Sequence, residues 1–149
     1  MFFKDKLFSG VVNEYYTSSK IKSSSQYYQG KREGFYNGWH QNGTKWFERN
    51  YTNGFKTKTH LGWFDNGSLM FRYQFNNQGD YNGEIVEWYA NKQKFKEFHF
   101  VDGVEDGSQK MWQPNGKIKA NYVTKNGERF GVIGLKKCYT VNTKNEAIQ

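Results

Sequence analysis

Apolar and polar positions in this chain never settle into a 3.6-residue period. Instead, segments of about eight residues rich in Phe, Tyr and Trp alternate with Asn-Gly and Asp-Gly pairs, the pattern of β-hairpins. The segments are themselves repeated. Gly62-Trp63-Phe64-Asp65-Asn66-Gly67 returns as Gly38-Trp39-His40-Gln41-Asn42-Gly43, as Glu87-Trp88-Tyr89-Ala90-Asn91-Lys92 and as Met111-Trp112-Gln113-Pro114-Asn115-Gly116, so the tryptophans step by 24, 25 and 24. Gly30, Gly54, Gly79, Gly103 and Gly127 keep the same steps. A third series, Gly10, Gly34, Gly83, Gly107 and Gly131, has Lys58 at its missing place. Several registers in phase mean duplicated units. The expected fold is all-β: an elongated single-layer antiparallel meander of tandem β-hairpin repeats with a period of about 24 residues.

The same registers divide the chain. Residues 1–139 form the repeat domain, with a worn first unit at 1–29, central units at 30–126 and a terminal half-unit at 127–139; residues 140–149 are a polar tail. In the first unit Tyr15 stands in the tryptophan place and Ser18-Ser19 replaces Asn-Gly, as befits an atypical terminal repeat. The one extra residue falls in Asn76-Asn77-Gln78-Gly79, at a turn, where an insertion costs least.

Pro114 sharpens the turn type. It suits position i+1 of a type I turn, which favours a three-residue loop, Pro114-Asn115-Gly116, with the glycine left-handed. Trp39 is then expected to pair with Lys45 and to share a face with Phe47, Arg49 and Tyr51. On this reading the repeat core is Trp39, Trp63, Trp88, Trp112, Tyr51, Phe75 and Phe100, and Trp63→Ala costs roughly 3–5 kcal/mol. The opposite face is polar at Glu48, Arg72, Glu97 and Asn121. Its exceptions are His40, Trp46, Phe64, Met70, Tyr89 and Phe95, a stripe that reads as partner-binding. An alternative stays open for two of them: Trp46 opposite Gly38 and Met70 opposite Gly62 simply cover glycines.

Composition fits a thin sheet. There are 13 Phe, 11 Tyr and 5 Trp against 17 Ile, Leu and Val, and flat rings cover one face without a second layer. The net charge of +8 is spread along the chain, which attracts acidic partners of any class without choosing among them. Cys138 is the single cysteine, so disulfide frameworks and cysteine metal sites are excluded. No apolar run reaches the ~20 residues of a membrane-spanning helix, and Met1-Phe2-Phe3-Lys4-Asp5-Lys6 lacks a signal-peptide core, so the chain as written reads as cytoplasmic, or as a cell-envelope protein if a leader has been removed. His40, His60 and His99 fall at unrelated repeat positions, and no Ser or Cys sits in a nucleophile motif. No enzyme, cofactor or metal is therefore expected. Asp102, Glu105 and Asp106 cluster, but the neighbouring units lack matching carboxylates for the six or more oxygens that calcium takes.

The pattern of aromatic, two residues, Asn-Gly, strand, aromatic and Asp-Gly, carried by Glu87-Trp88-Tyr89-Ala90-Asn91, by Phe100-Val101-Asp102-Gly103 with Gly107, and by Trp112-Gln113-Pro114-Asn115-Gly116-Lys117, resembles the bacterial MORN-variant repeat family. It runs from about Gly10 to Gly131. The resemblance implies a hairpin-repeat fold and, from antitoxin and immunity-type members, a toxin-neutralising partner role; it supplies no catalytic residues. Ser18-Ser19 and Asn91-Lys92 depart from its Asn-Gly pattern. The expected function is a non-catalytic scaffold binding another macromolecule, most of all a protein. The alternative is peripheral docking on acidic membrane lipid or cell-wall glycan. Nucleic acid is not expected, because the basic residues do not concentrate on the aromatic units.

Overall fold

The structure, a computed structural model, describes residues 1–133 and 136–138. Positions 134, 135 and 139–149, and with them the expected polar tail, lie outside the described residues. β1 (Phe2–Phe3) and β2 (Lys6–Leu7) form a small ribbon of their own. Among the described residues the main sheet has 13 strands and begins at β3 (Gly10–Tyr15). It runs in chain order through β4 (Ile21–Tyr28), β5 (Lys31–Trp39), β6 (Lys45–Thr52), β7 (Phe55–Trp63), β8 (Leu69–Phe75), β9 (Tyr81–Trp88) and β10 (Lys94–Val101). The short β11 (Val104–Glu105) pairs β10 alone; β12 (Gly107–Trp112), β13 (Ile118–Lys125), β14 (Glu128–Ile133) and β15 (Lys136–Cys138) complete the path. Each strand on that path is antiparallel to its neighbours on the path, and among the described residues the sheet does not close. It is the open hairpin meander that the repeat predicts.

The two long edges of the sheet use different turns. Along one edge Gln29-Gly30, Asn53-Gly54, Asp102-Gly103 and Asn126-Gly127 join directly paired residues, and both residues of each turn have positive φ, such as 51° and 85° at Asn53 and Gly54. These are two-residue type I′ turns, whose twist matches that of the strands. The inserted residue lengthens the equivalent turn to the five residues between Phe75 and Tyr81. Along the other edge lie the three-residue loops. Gly116 N–H donates to the Gln113 carbonyl (2.9 Å) with Gly116 at φ 84°, and the Asn115 Oδ1 accepts from Lys117 N–H (3.0 Å). Asn42, Asn66 and Asn91 close their loops in the same way.

Register corrects the expected faces. Trp39 does pair with Lys45, but the next pair is Gly38 with Phe47, so Trp46 is looped out as a β-bulge. The same skip follows Trp63, Trp88 and Trp112. One extra residue reverses the alternation of side chains. Phe47, Arg49 and Tyr51 therefore share a face with Gly38, while Trp39, Trp63, Trp88 and Trp112 turn to the opposite face, each half-buried. There Arg72 lies 5.9 Å from the Trp88 ring and Lys45 lies 5.9 Å from that of Trp63. The expected core series thus splits: Tyr51, Phe75 and Phe100 stay with the phenylalanines, and the four tryptophans do not.

The bulge also decides what covers the glycines. A Cβ on Gly38 would stand 2.3 Å from the Phe47 ring, and one on Gly62 would stand 2.1 Å from Phe71. The covering residues are Phe47 and Phe71, not Trp46 and Met70. Where the glycine place holds Glu87 instead, its cross-strand partner is Lys96, with 3.7 Å between the charged groups.

Candidate functional site

One face carries a continuous series of touching rings. Tyr36 meets Phe47 (4.8 Å between ring centres) and Tyr51 (6.4 Å), and Tyr51 meets His60 (5.6 Å). The series continues from His60 to Phe75 (4.6 Å), Tyr81 (5.1 Å) and Phe100 (5.4 Å), and through Phe98 to Tyr122 (6.2 Å). Most contacts are edge-on or tilted, as ring quadrupoles favour. Phe47, Tyr51 and Tyr122 are buried at 5 %, 9 % and 5 % exposure, although the sheet has a single layer.

The repeat supplies an internal comparison along this face. The places occupied by Arg49, Lys56 and His60 are taken one unit later by Tyr73, Tyr81 and Ile85. Three basic-type side chains thus replace rings and an aliphatic within one unit, and they converge on one cavity of about 260 Å³, lined also by Phe71, Tyr73, Phe75 and Tyr81. The Arg49 guanidinium lies over the Phe47 ring at 4.4 Å, and Lys56 lies 5.7 Å from the Phe75 ring. Arg32, at the Lys56 place of the preceding unit, is held against Tyr36 at 4.4 Å and Tyr51 at 5.6 Å. Among the described residues no carboxylate comes within ion-pair distance of Arg32, Arg49 or Lys56.

The neighbouring titratable groups are held neutral or are already engaged. His60 is 2 % exposed, and its Nε2 bonds the Asn50 carbonyl at 2.8 Å. Burial lowers its pKa, and the charges of Arg49 and Lys56 push the same way against the hydrogen bond. Burial, with the Glu87 carboxylate as acceptor of its hydroxyl proton at 2.7 Å, raises Tyr73 far above the ordinary phenol range. Burial and the Glu87 charge raise Tyr81 as well. Glu87 faces Lys96 on its other side.

The six residues expected to form a separate outer stripe lie at three successive hairpin tips. His40 and Trp46 touch (5.5 Å), as do Tyr89 and Phe95 (5.1 Å), and Phe64 with Met70 occupies the matching place between them. They are not on a face apart from the ring series. Trp46 contacts Phe47 at 5.3 Å, and the Lys96 ammonium lies over both Phe95 (5.5 Å) and Phe98 (5.3 Å), because the bulge residue turns toward the rings. Two of the six also tie units together: His40 Nε2 bonds the Trp63 carbonyl (2.8 Å) and the Tyr89 hydroxyl donates to the Trp112 carbonyl (2.9 Å), as Tyr16 does to Trp39 (2.8 Å). Trp46 is the most open of the aromatic members, at 37 % exposure.

No group of three or more His, Cys, Asp or Glu able to hold a metal occurs among the described residues. Glu105 is instead occupied by Tyr122, Thr124 and Arg129. The third histidine, His99, bonds the Ser108 carbonyl through Nδ1 at 2.7 Å. No helix among the described residues is long and apolar enough to cross a membrane. No protein-family model matches the chain, and no curated protein matches its sequence.

The cavity is not evident from the sequence, because the hydrophobic pattern places Arg49 in a stripe of rings and says nothing of what its charge meets there. A signal existed. Aligning the units shows Arg49 where the following units carry Tyr73, Phe98 and Tyr122, and His60 where the neighbouring units carry Tyr36 and Ile85, whereas Lys56 keeps the basic character of Arg32 one unit earlier.

Proposed function

We propose that this chain is a non-catalytic repeat scaffold that binds another protein across its ring-bearing face. The observation that carries this reading is the uninterrupted ring series from Tyr36 to Tyr122, borne by a single-layer sheet and extended to the hairpin tips by Trp46 and Phe95. Aromatic surface of this extent, edged by charge, is characteristic of protein-binding faces. The histidines support a non-catalytic role, since each spends a ring nitrogen on a backbone carbonyl. The resemblance to MORN-variant repeats gives the reading its specific form: the partner is a toxin that the scaffold neutralises.

The test is capture from lysate and envelope fractions of the source cell, comparing the wild type with a Trp46→Ser, Phe95→Ser double variant whose melting temperature is unchanged. Tyr89 is left intact because its hydroxyl ties two units. A protein retained by the wild type and lost by the variant is the expected result. Equal retention by both, or retention of lipid or glycan alone, overturns the reading.

A further inference from the structure

We propose that the cavity between Arg49, Lys56 and the Phe71–Tyr73–Phe75–Tyr81 wall receives a carboxylate side chain from an extended acidic segment of the partner protein. The inference rests on the reading of the ring-bearing face as protein-binding and names the chemistry that one point on it recognises.

Four observations converge. Arg49 and Lys56 reach the cavity from adjacent strands, β6 and β7, and neither has an acidic partner among the described residues. Arg49 sits over the Phe47 ring at 4.4 Å, and a guanidinium so placed can still make a two-pronged bond to a carboxylate. Glu87, the carboxylate bonded to the cavity-lining Tyr73, also faces Lys96 and makes no ion pair with Arg49 or Lys56. Finally, a cavity of about 260 Å³ admits one side chain or two, not a helix, and it opens on a long ring-covered face along which a strand-like segment can lie. Walls made of rings lower the local dielectric and strengthen such a charge pair relative to open solvent.

Internal repetition makes the cations informative. The following unit builds the same strands with Tyr73, Tyr81 and Ile85, so the fold does not require Arg49 or Lys56 where they stand. Polar cost without structural need is the mark of a place kept for a ligand.

The experiment is calorimetric titration of the full chain with an acetylated, amidated decapeptide of alternating Glu and Gly, and with its Gln and Gly counterpart. The Glu peptide is expected to bind at least tenfold more tightly. Arg49→Tyr and Lys56→Tyr, which install the residue found at the same place one unit later, are each expected to weaken the Glu peptide tenfold or more with no fall in melting temperature. Lys110→Gln, on the opposite face, should change it less than twofold. If Arg49→Tyr fails to fold, Lys56→Tyr decides, because Lys56 is solvent-exposed. The proposal is overturned if the Glu peptide does not bind, or if Lys110→Gln weakens it as much as the cavity variants do. Failure here together with a Trp46- and Phe95-dependent partner removes the carboxylate site and leaves the scaffold reading standing. Binding here with face-independent capture does the reverse.

Discussion

The unit carrying Arg49, Lys56 and His60 and the one after it, carrying Tyr73, Tyr81 and Ile85, have the same strand lengths within a residue or two, the same bulge and the same glycine under a phenylalanine. They differ in what stands beside that ring. Phe47 supports a guanidinium, whereas Phe71 stacks on Tyr73 at 4.5 Å and 13°. The backbone repeat is thus indifferent to the side chains that make the cavity, and chemistry can be placed in one unit without disturbing the next. Such arrays hold by unit and nearest-neighbour terms, so a local change stays local.

The strongest way to break this comparison is to remove the ring common to both units. Phe47→Ala deletes a side chain 5 % exposed and is expected to cost about 3–5 kcal/mol in urea unfolding. Trp63→Ala should cost less than Phe47→Ala, since the bulge leaves Trp63 half-buried on the other face. Equal losses would restore the tryptophans to the core.

Acid should separate the two units next. His60 has a folded pKa below its unfolded value, so the folded chain binds its proton less readily. Stability is full above about pH 6.5 and falls as pH drops from there through the lowered folded value. His60→Gln should flatten that acid limb, because Gln109 at the matching place makes the same kind of bond, to the His99 carbonyl at 2.7 Å, and does not titrate. An unchanged acid limb in urea melts between pH 5 and 8 would remove His60 as its source.

The smallest effect concerns the bulge between hairpins. Lys58 holds φ 60° where Gly34, Gly83 and Gly107 stand in other units at 88°, 107° and 88°. Lys58→Gly relieves a left-handed lysine at the expense of chain entropy, and the net gain is expected to be about 0.5–1 kcal/mol in thermal unfolding. A loss would show that the bulge tolerates its lysine without strain.

These residues show how far the sequence could be read. Tryptophan spacing and Asn-Gly turns were enough for the meander, because turn chemistry is local and repeated. Pro114 was enough for the loop and the first pair, Trp39 with Lys45. Which face each ring took was not legible, since Trp46, Met70 and Phe95 at the bulge differ among themselves in no way that marks them as skipped. A single unpaired position was enough to put the tryptophans on the face opposite Phe47 and Tyr51. The glycines offered the missing clue: Gly38 and Gly62 need a large flat neighbour, and Phe47 and Phe71 repeat at that distance as consistently as Trp46 and Met70 do not.

The ties between units are not uniform. Tyr16, His40 and Tyr89 each reach the tryptophan carbonyl of the following hairpin, but Phe64 has no atom to do so, and at the opposite edge the same joint, between β8 and β9, carries the longest turn. Its side-chain bonds lie in mid-strand instead, in the Arg72–Glu84 pair and the Tyr73–Glu87 hydrogen bond. The joint between β8 and β9 is thus held by its backbone ladder and by these mid-strand side chains, with no side-chain tie from the Phe64 tip. The Arg49 cavity spans that joint, with Phe71, Tyr73 and Phe75 on one side of it and Tyr81 on the other. Whatever fills the cavity therefore touches both β8 and β9 and bridges a joint that lacks the tip-to-tip tie found at its neighbours.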